Sequence, residues 1–170
     1  MRIVPIVVAC LVAVLTLGLT GCERDAPTPE ERAAIEPLVR TFLEQMARAY
    51  AEQSTRPLAD VSAPRHIADV QRQFELVRAG GRRLEPVLLS AEILDLKVLR
   101  RSNAIVSVQE VWDTRSYDAF SGELVGHDPA SLLHSHITMK RMDGQWRVTL
   151  RRVEETTGGP RLALPSPVPD

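Results

Sequence analysis

Apolar and polar positions change rhythm along the chain. Ile3 to Leu19 is an almost unbroken apolar run of Ile, Val, Ala and Leu, interrupted by Pro5, Cys10, Thr16 and Gly18. From Ile35 onward, Leu38, Val39, Phe42, Leu43, Met46 and Tyr50 recur at helical spacing, which predicts an amphipathic helix to about Ala51. Thr28-Pro29-Glu30-Glu31 marks its start as a capping box with proline at N1. Pro37 removes a hydrogen bond and crowds the preceding turn, so a kink is expected there, or a restart with Pro37 at N1. Residues 53–63 read as a loop with one turn around Leu58 to Val61. Pro64 then opens a second helix in which Ile67, Val70, Phe74 and Val77 share a face, closed by Gly80-Gly81.

After Arg82-Arg83 the period becomes alternating. Leu94, Leu96 and Val98 are expected on one face of a first strand, with a turn at Arg101-Ser102-Asn103. Ala104, Val106 and Val108, with Trp112 further along, line a second strand to about Asp118. Ser121-Gly122 and Gly126-His127-Asp128-Pro129 predict an irregular loop, and Leu132 to Arg141 a third strand. Met142-Asp143-Gly144-Gln145 is a two-residue hairpin signal, and Trp146, Val148 and Leu150 alternate along a fourth strand. Helices followed by a meander give an α+β fold, with N-terminal helices packed on a curved four-stranded antiparallel sheet.

The first apolar run is too short for a comfortable span. At about 1.5 Å per residue it falls below a hydrocarbon core of roughly 30 Å, and with Arg2 before it the segment reads as a cleavable signal peptide. Its end, Leu19-Thr20-Gly21-Cys22, resembles the lipobox of bacterial lipoprotein precursors. That resemblance implies removal of residues 1–21 and lipidation of Cys22 by acyl chains such as palmitate. It also accounts for the cysteines, since Cys10 leaves with the signal and Cys22 becomes the lipid carrier. Residues 22–28 are then a polar tether, 29–155 one domain, and the Gly- and Pro-rich residues 156–170 an extended or disordered tail. Expected localisation is the cell envelope, lipid-anchored on the extracytoplasmic face of a membrane.

Charge narrows the partners. The formal net charge is −1, so nothing attracts polyanions globally, and nucleic acid is excluded as a partner on this ground together with export. Arginine dominates over Lys97 and Lys140, and the pairs Arg82-Arg83, Arg100-Arg101 and Arg151-Arg152 could meet anionic headgroups if the sheet gathers them.

Ala104-Ile-Val-Ser-Val-Gln-Glu-Val-Trp112, Tyr117-Asp118 and the run from Leu133 to Val148 carry a second resemblance. They resemble the nuclear-transport-factor-two-like superfamily, and more narrowly its intermembrane-space type found in plastid-division proteins and many bacterial proteins. The resemblance covers about residues 30–155 and implies a cone-shaped half-barrel with a pocket between sheet and helices. The superfamily holds enzymes as well as binding modules, so the fold alone assigns no activity.

Candidate chemistry is sparse. Asp113 and Tyr117, four apart on one strand, share a face and could pair a desolvated carboxylate with a hydroxyl donor in the manner of a small-ligand isomerase, dehydratase or hydrolase. His134 and His136 alternate onto one face, but two imidazoles without a further ligand make no metal site, and no cofactor is expected. Trp112 and Trp146 are candidates for the working surface or the core. The expectation is a non-catalytic binding or interaction module: membrane-bound through Cys22, with a protein partner or self-association, and no catalytic residues.

Overall fold

The structure is a computed structural model that describes residues 24–154. The expected signal peptide, Cys22 and residues 156–170 lie outside the described residues. Among the described residues no helix is long and apolar enough to cross a membrane.

Helix α1, Pro29–Glu52, starts as its sequence specifies. Thr28 accepts from the Glu31 N–H at 3.2 Å while the Glu31 carboxylate accepts from the Thr28 N–H at 2.9 Å, with Pro29 at the first position. It runs through Pro37 as one helix, so the expected restart does not occur. Its stripe of Ile35, Val39, Phe42, Leu43, Met46 and Tyr50 is buried, and that burial outweighs the lost hydrogen bond. A 3-10 turn at Arg56–Leu58 leads to α2, Pro64–Ala79, ended by Gly81 at φ 69°, a left-handed position glycine takes freely.

The sheet is an antiparallel meander. Strands β2 (Arg82–Leu99), β3 (Asn103–Asp118), β4 (Leu124–Met142) and β5 (Gln145–Glu154) pair in chain order, and a two-residue β1 (Arg24–Asp25) adds to the free side of β2. This is the expected α+β architecture: two helices, then an open four-strand sheet. β1 is the addition. Arg24 pairs with Leu99 and Asp25 with Val98, so part of the expected tether is tied to the sheet.

Two strand details differ from the sequence pattern. Register shifts between Leu88 and Ser90 and between Ile93 and Asp95 insert bulges in β2, which turn Leu94 outward at 51% exposure while Leu96 and Val98 stay buried. Gly126 to Pro129, expected as loop, belong to β4, with Gly126 paired to Ser116 and Asp128 to Thr114. The irregularity lies one step on. A register shift opposite Thr114, with Ala130 at φ 55°, places Pro129 at a bulge where its missing N–H is tolerated.

The helices cover one sheet face. Val106, Val108, Trp112, Ile137, Met139, Trp146 and Val148 meet Phe42, Leu43, Met46 and Phe74 in a single core. The segment after the 3-10 turn closes the β5 side: Val61 O accepts from Val148 N–H at 2.9 Å, and Ala63 N–H donates to Val148 O at 2.8 Å.

Candidate functional site

The inner face of β3 alternates strictly, and one of its buried positions is a carboxylate. Val106, Val108, Glu110 and Trp112 are all buried, and Glu110 is 0% exposed. Burial penalises its charge, so the surroundings must hold it. Arg151 reaches in from β5 and donates to both Glu110 oxygens, at 3.3 Å through Nε and 2.5 Å through Nη2. Trp112 Nε1–H donates at 2.7 Å, and Ser135 Oγ–H donates to the other oxygen. Burial pushes the Glu110 pKa up, but the Arg151 charge and these hydrogen bonds outweigh it and leave the carboxyl below its ordinary value of 4.5. The guanidinium also lies 6.0 Å from the centre of the Trp112 ring.

Arg151 is felt on the helix side as well. Tyr50 donates its hydroxyl to Gln73 Oε1 at 3.0 Å, and burial raises its pKa against the opposing Arg151 charge. His66 stacks obliquely on Phe42 with ring centres 5.5 Å apart. Burial lowers its pKa from 6.5 to about 4, with Asp69 opposing and Arg151 assisting. His66 Nε2 and Ser62 Oγ are buried without a hydrogen-bond partner among the described residues.

Chemically this cluster is a clamp. A general base needs a free lone pair directed at substrate, whereas both Glu110 oxygens are occupied and its pKa is lowered. Phe42, Phe74 and the two tryptophans belong to the buried core on the same side of the sheet. An open groove of about 780 Å³ lies elsewhere, between Arg32, Pro37 and Arg40 of α1 and the bulged Ala91 to Leu96 of β2.

The residues singled out from sequence divide between the two faces. Trp112 and Trp146 are core, at 6% and 8% exposure. Asp113 and Tyr117 share a face, but it is the outer one, away from the helices. They engage different partners. Both Asp113 oxygens lie 3.0 Å from His127 Nε2, and Tyr117 stacks beneath Arg83 at 4.6 Å. His134 and His136 also face outward; His136 bridges Ser107 Oγ at 3.0 Å and Glu154 Oε1 at 2.8 Å. Among the described residues no group of three or more His, Cys, Asp or Glu side chains could hold a metal. Nor does the sheet gather the arginine pairs: Arg82 opens β2, Arg100 and Arg101 form the turn at its far end, and Arg151 points inward.

Glu110 was not picked out from sequence, although the signal was present. Alternation from Val106 and Val108 to Trp112 puts position 110 on the buried face, and a charge there demands a buried partner.

No family model matches the chain, and no curated protein matches it in sequence. Solved structures do match. The intermembrane-space region of the chloroplast protein ARC6 is 14% identical with a TM-score of 0.60, over 79% of this chain and 100% of that one. An NTF2-like protein with a cystatin-like fold from Novosphingobium aromaticivorans is 15% identical with a TM-score of 0.39, over 89% and 90%. A candidate dehydratase of the NTF2-like family from Streptomyces avermitilis is 14% identical with a TM-score of 0.49, over 77% and 100%. The likeness to the intermembrane-space region is one of fold: helices followed by an antiparallel open sheet.

Proposed function

We propose that the chain is a lipid-anchored, non-catalytic binding or interaction module of the bacterial cell envelope, in which the helix-covered face is structural and the outer surface does the work. The observation that carries this reading is Glu110. The fully buried carboxylate on the inner face of β3, the one such carboxylate among the described residues, is clamped by Arg151, Ser135 and Trp112 among packed side chains, so it serves cohesion rather than proton transfer. The outer sheet face keeps polar and titratable groups exposed, including the Asp113–His127 and His136–Glu154 pairs. Such a face suits a protein partner or a second copy.

Anchoring rests on Leu19-Thr20-Gly21-Cys22. Two or three acyl chains, at about 0.8 kcal/mol per buried methylene, hold a protein durably on a bilayer. The test is to fractionate cells expressing the chain and Cys22→Ala, and to crosslink intact membranes before extraction. The unsubstituted chain is expected in the membrane fraction carrying acyl mass on Cys22, crosslinked to a defined species, while Cys22→Ala loses the acyl mass. Absence of that mass from the unsubstituted chain refutes the anchor, and crosslinks to lipid alone refute the protein partner.

A further inference from the structure

Among the described residues the longest open edge of the sheet is that of β2. β1 covers only Val98 and Leu99, so Arg82 to Lys97 of β2 have no neighbouring strand on that side among the described residues. Exposed large apolar side chains concentrate along this strand and at the hairpin tip beside its start. Val87, Leu89 and Leu94 on β2 and Phe120, Leu124 and Val125 at the β3–β4 tip are each more than half exposed, with Phe120 at 91%. The tip adjoins the strand directly: Arg82 pairs with Asp118, and Ala119 N–H donates to Gly81 O at 2.9 Å.

The two bulges explain part of this exposure. Leu89 and Leu94 are the residues left without a partner across β3, so they are turned out of the ladder. Two acids along the edge are ion-paired in place and a third is held by backbone hydrogen bonds. Glu85 pairs with Arg83, Asp95 with Lys97 at 2.7 Å, and the Asp118 carboxylate accepts from Phe120 and Ser121 N–H at 2.9 and 2.7 Å. Glu92 remains an acid there, and it lines the groove against α1 together with Arg32, Glu36, Arg40 and Glu44.

The edge is poorly made for another strand. Pro86 lacks an N–H, and the bulges break the regular spacing of donors and acceptors, which disfavours pairing with a second copy. It is better made for an interface that takes apolar side chains while leaving backbone groups hydrated. A bilayer's headgroup boundary does both.

The chain's course supplies the occupant. Arg24 pairs with Leu99 at the far end of this edge, and Cys22 lies two residues earlier, within about 8 Å of Arg24 at 3.8 Å per residue. The tip is roughly 60 Å away along the 18 residues of β2, at about 3.3 Å each. We propose that the β2 edge and the β3–β4 tip lie on the bilayer interface, between the lipid on Cys22 at one end and Phe120 at the other. This rests on the reading of Cys22 as lipidated.

The test uses the full lipidated chain in vesicles of phosphatidylcholine with phosphatidylglycerol. A fluorophore sensitive to its surroundings is attached through Glu92→Cys on the edge, Ser121→Cys at the tip, or Arg152→Cys on β5. Labels at 92 and 121 are expected to shift to shorter wavelength and to be quenched several-fold more by headgroup spin-labelled lipid than the label at 152. Leu89→Ser, Leu94→Ser and Phe120→Ser together should bring 92 and 121 down to the level of 152, with circular dichroism unchanged. Equal quenching at all three positions overturns the proposal. So does a shift at 92 that persists in detergent together with disulfide-linked dimers of Glu92→Cys, which would place a second copy on the edge. Mass spectrometry of Cys22 on the same samples separates these outcomes from failure of the lipidation reading.

Discussion

Replacing Arg151 by methionine tests the account of the interior most directly. The substitution keeps much of the apolar stem but removes the guanidinium that meets both oxygens of Glu110, a side chain with no exposure. Ser135 and Trp112 remain as donors, so the carboxylate keeps hydrogen bonds but loses its counter-charge. Removing one partner of a buried pair typically costs about 3–5 kcal/mol, against about 0–1 kcal/mol for an exposed pair. For a domain of this size that corresponds to roughly 10–20 °C in Tm. The assay is urea and thermal unfolding followed by circular dichroism.

Acidity adds a second signature. The folded Glu110 pKa lies below 4.5, so its stabilisation is present above that value and lost as pH falls through the folded pKa. Without Arg151, burial is opposed only by neutral donors and raises the Glu110 pKa, so the folded variant takes up a proton more readily. The gap between Arg151→Met and the unsubstituted chain should therefore narrow as pH is lowered. Pairing Arg151→Met with Glu110→Gln should recover much of the loss. A cost under about 1 kcal/mol, or a double variant whose losses simply add, would refute the clamp.

Two further predictions concern other sites. His66, buried and held neutral, destabilises the fold as pH drops from 6.5 to about 4, because the unfolded chain binds the proton first. At roughly 1.4 kcal/mol per pKa unit the effect is about 3.5 kcal/mol, and His66→Phe should flatten the stability–pH curve in that window; an unchanged slope refutes it. At the β2–β3 turn Arg100 and Arg101 sit at φ 52° and 54°, positions that favour Asn-Gly, so Arg100→Asn with Arg101→Gly should raise stability by about 1–2 kcal/mol, less what Arg101 gains from Glu31. Unfolding midpoints check this, and a loss of stability would show that the contacts of Arg101 outweigh the relief of turn strain.

Local chemistry made much of the fold legible. The Thr28–Glu31 capping box, Pro64 at a helix start and Asp143-Gly144 at a hairpin each satisfy or release specific backbone groups, and each appears where the sequence puts it. Long-range pairing was less visible. Gly126 and Pro129 carry loop chemistry, yet Ser116 and Thr114 across the ladder keep their neighbours in β4, with a bulge absorbing the misfit. Leu94 was misplaced for the same reason, since one inserted residue reverses every face assignment before it. Asp113 and Tyr117 drew attention as a polar pair on one face, but alternation alone does not say which face meets the helices. Counting from the apolar Val106 and Val108 does, and it leads to Glu110.

The meander order has a kinetic consequence. β2, β3, β4 and β5 each pair with their neighbour in sequence through short turns, so assembly can proceed as successive hairpins, each closing a small loop. A chain built this way can zip up its sheet without a distant segment having to arrive first. Arg151 reaches beyond that locality, since its partner Glu110 lies 41 residues earlier, and their contact joins the last strand to the second strand of the meander once the hairpins between them have formed.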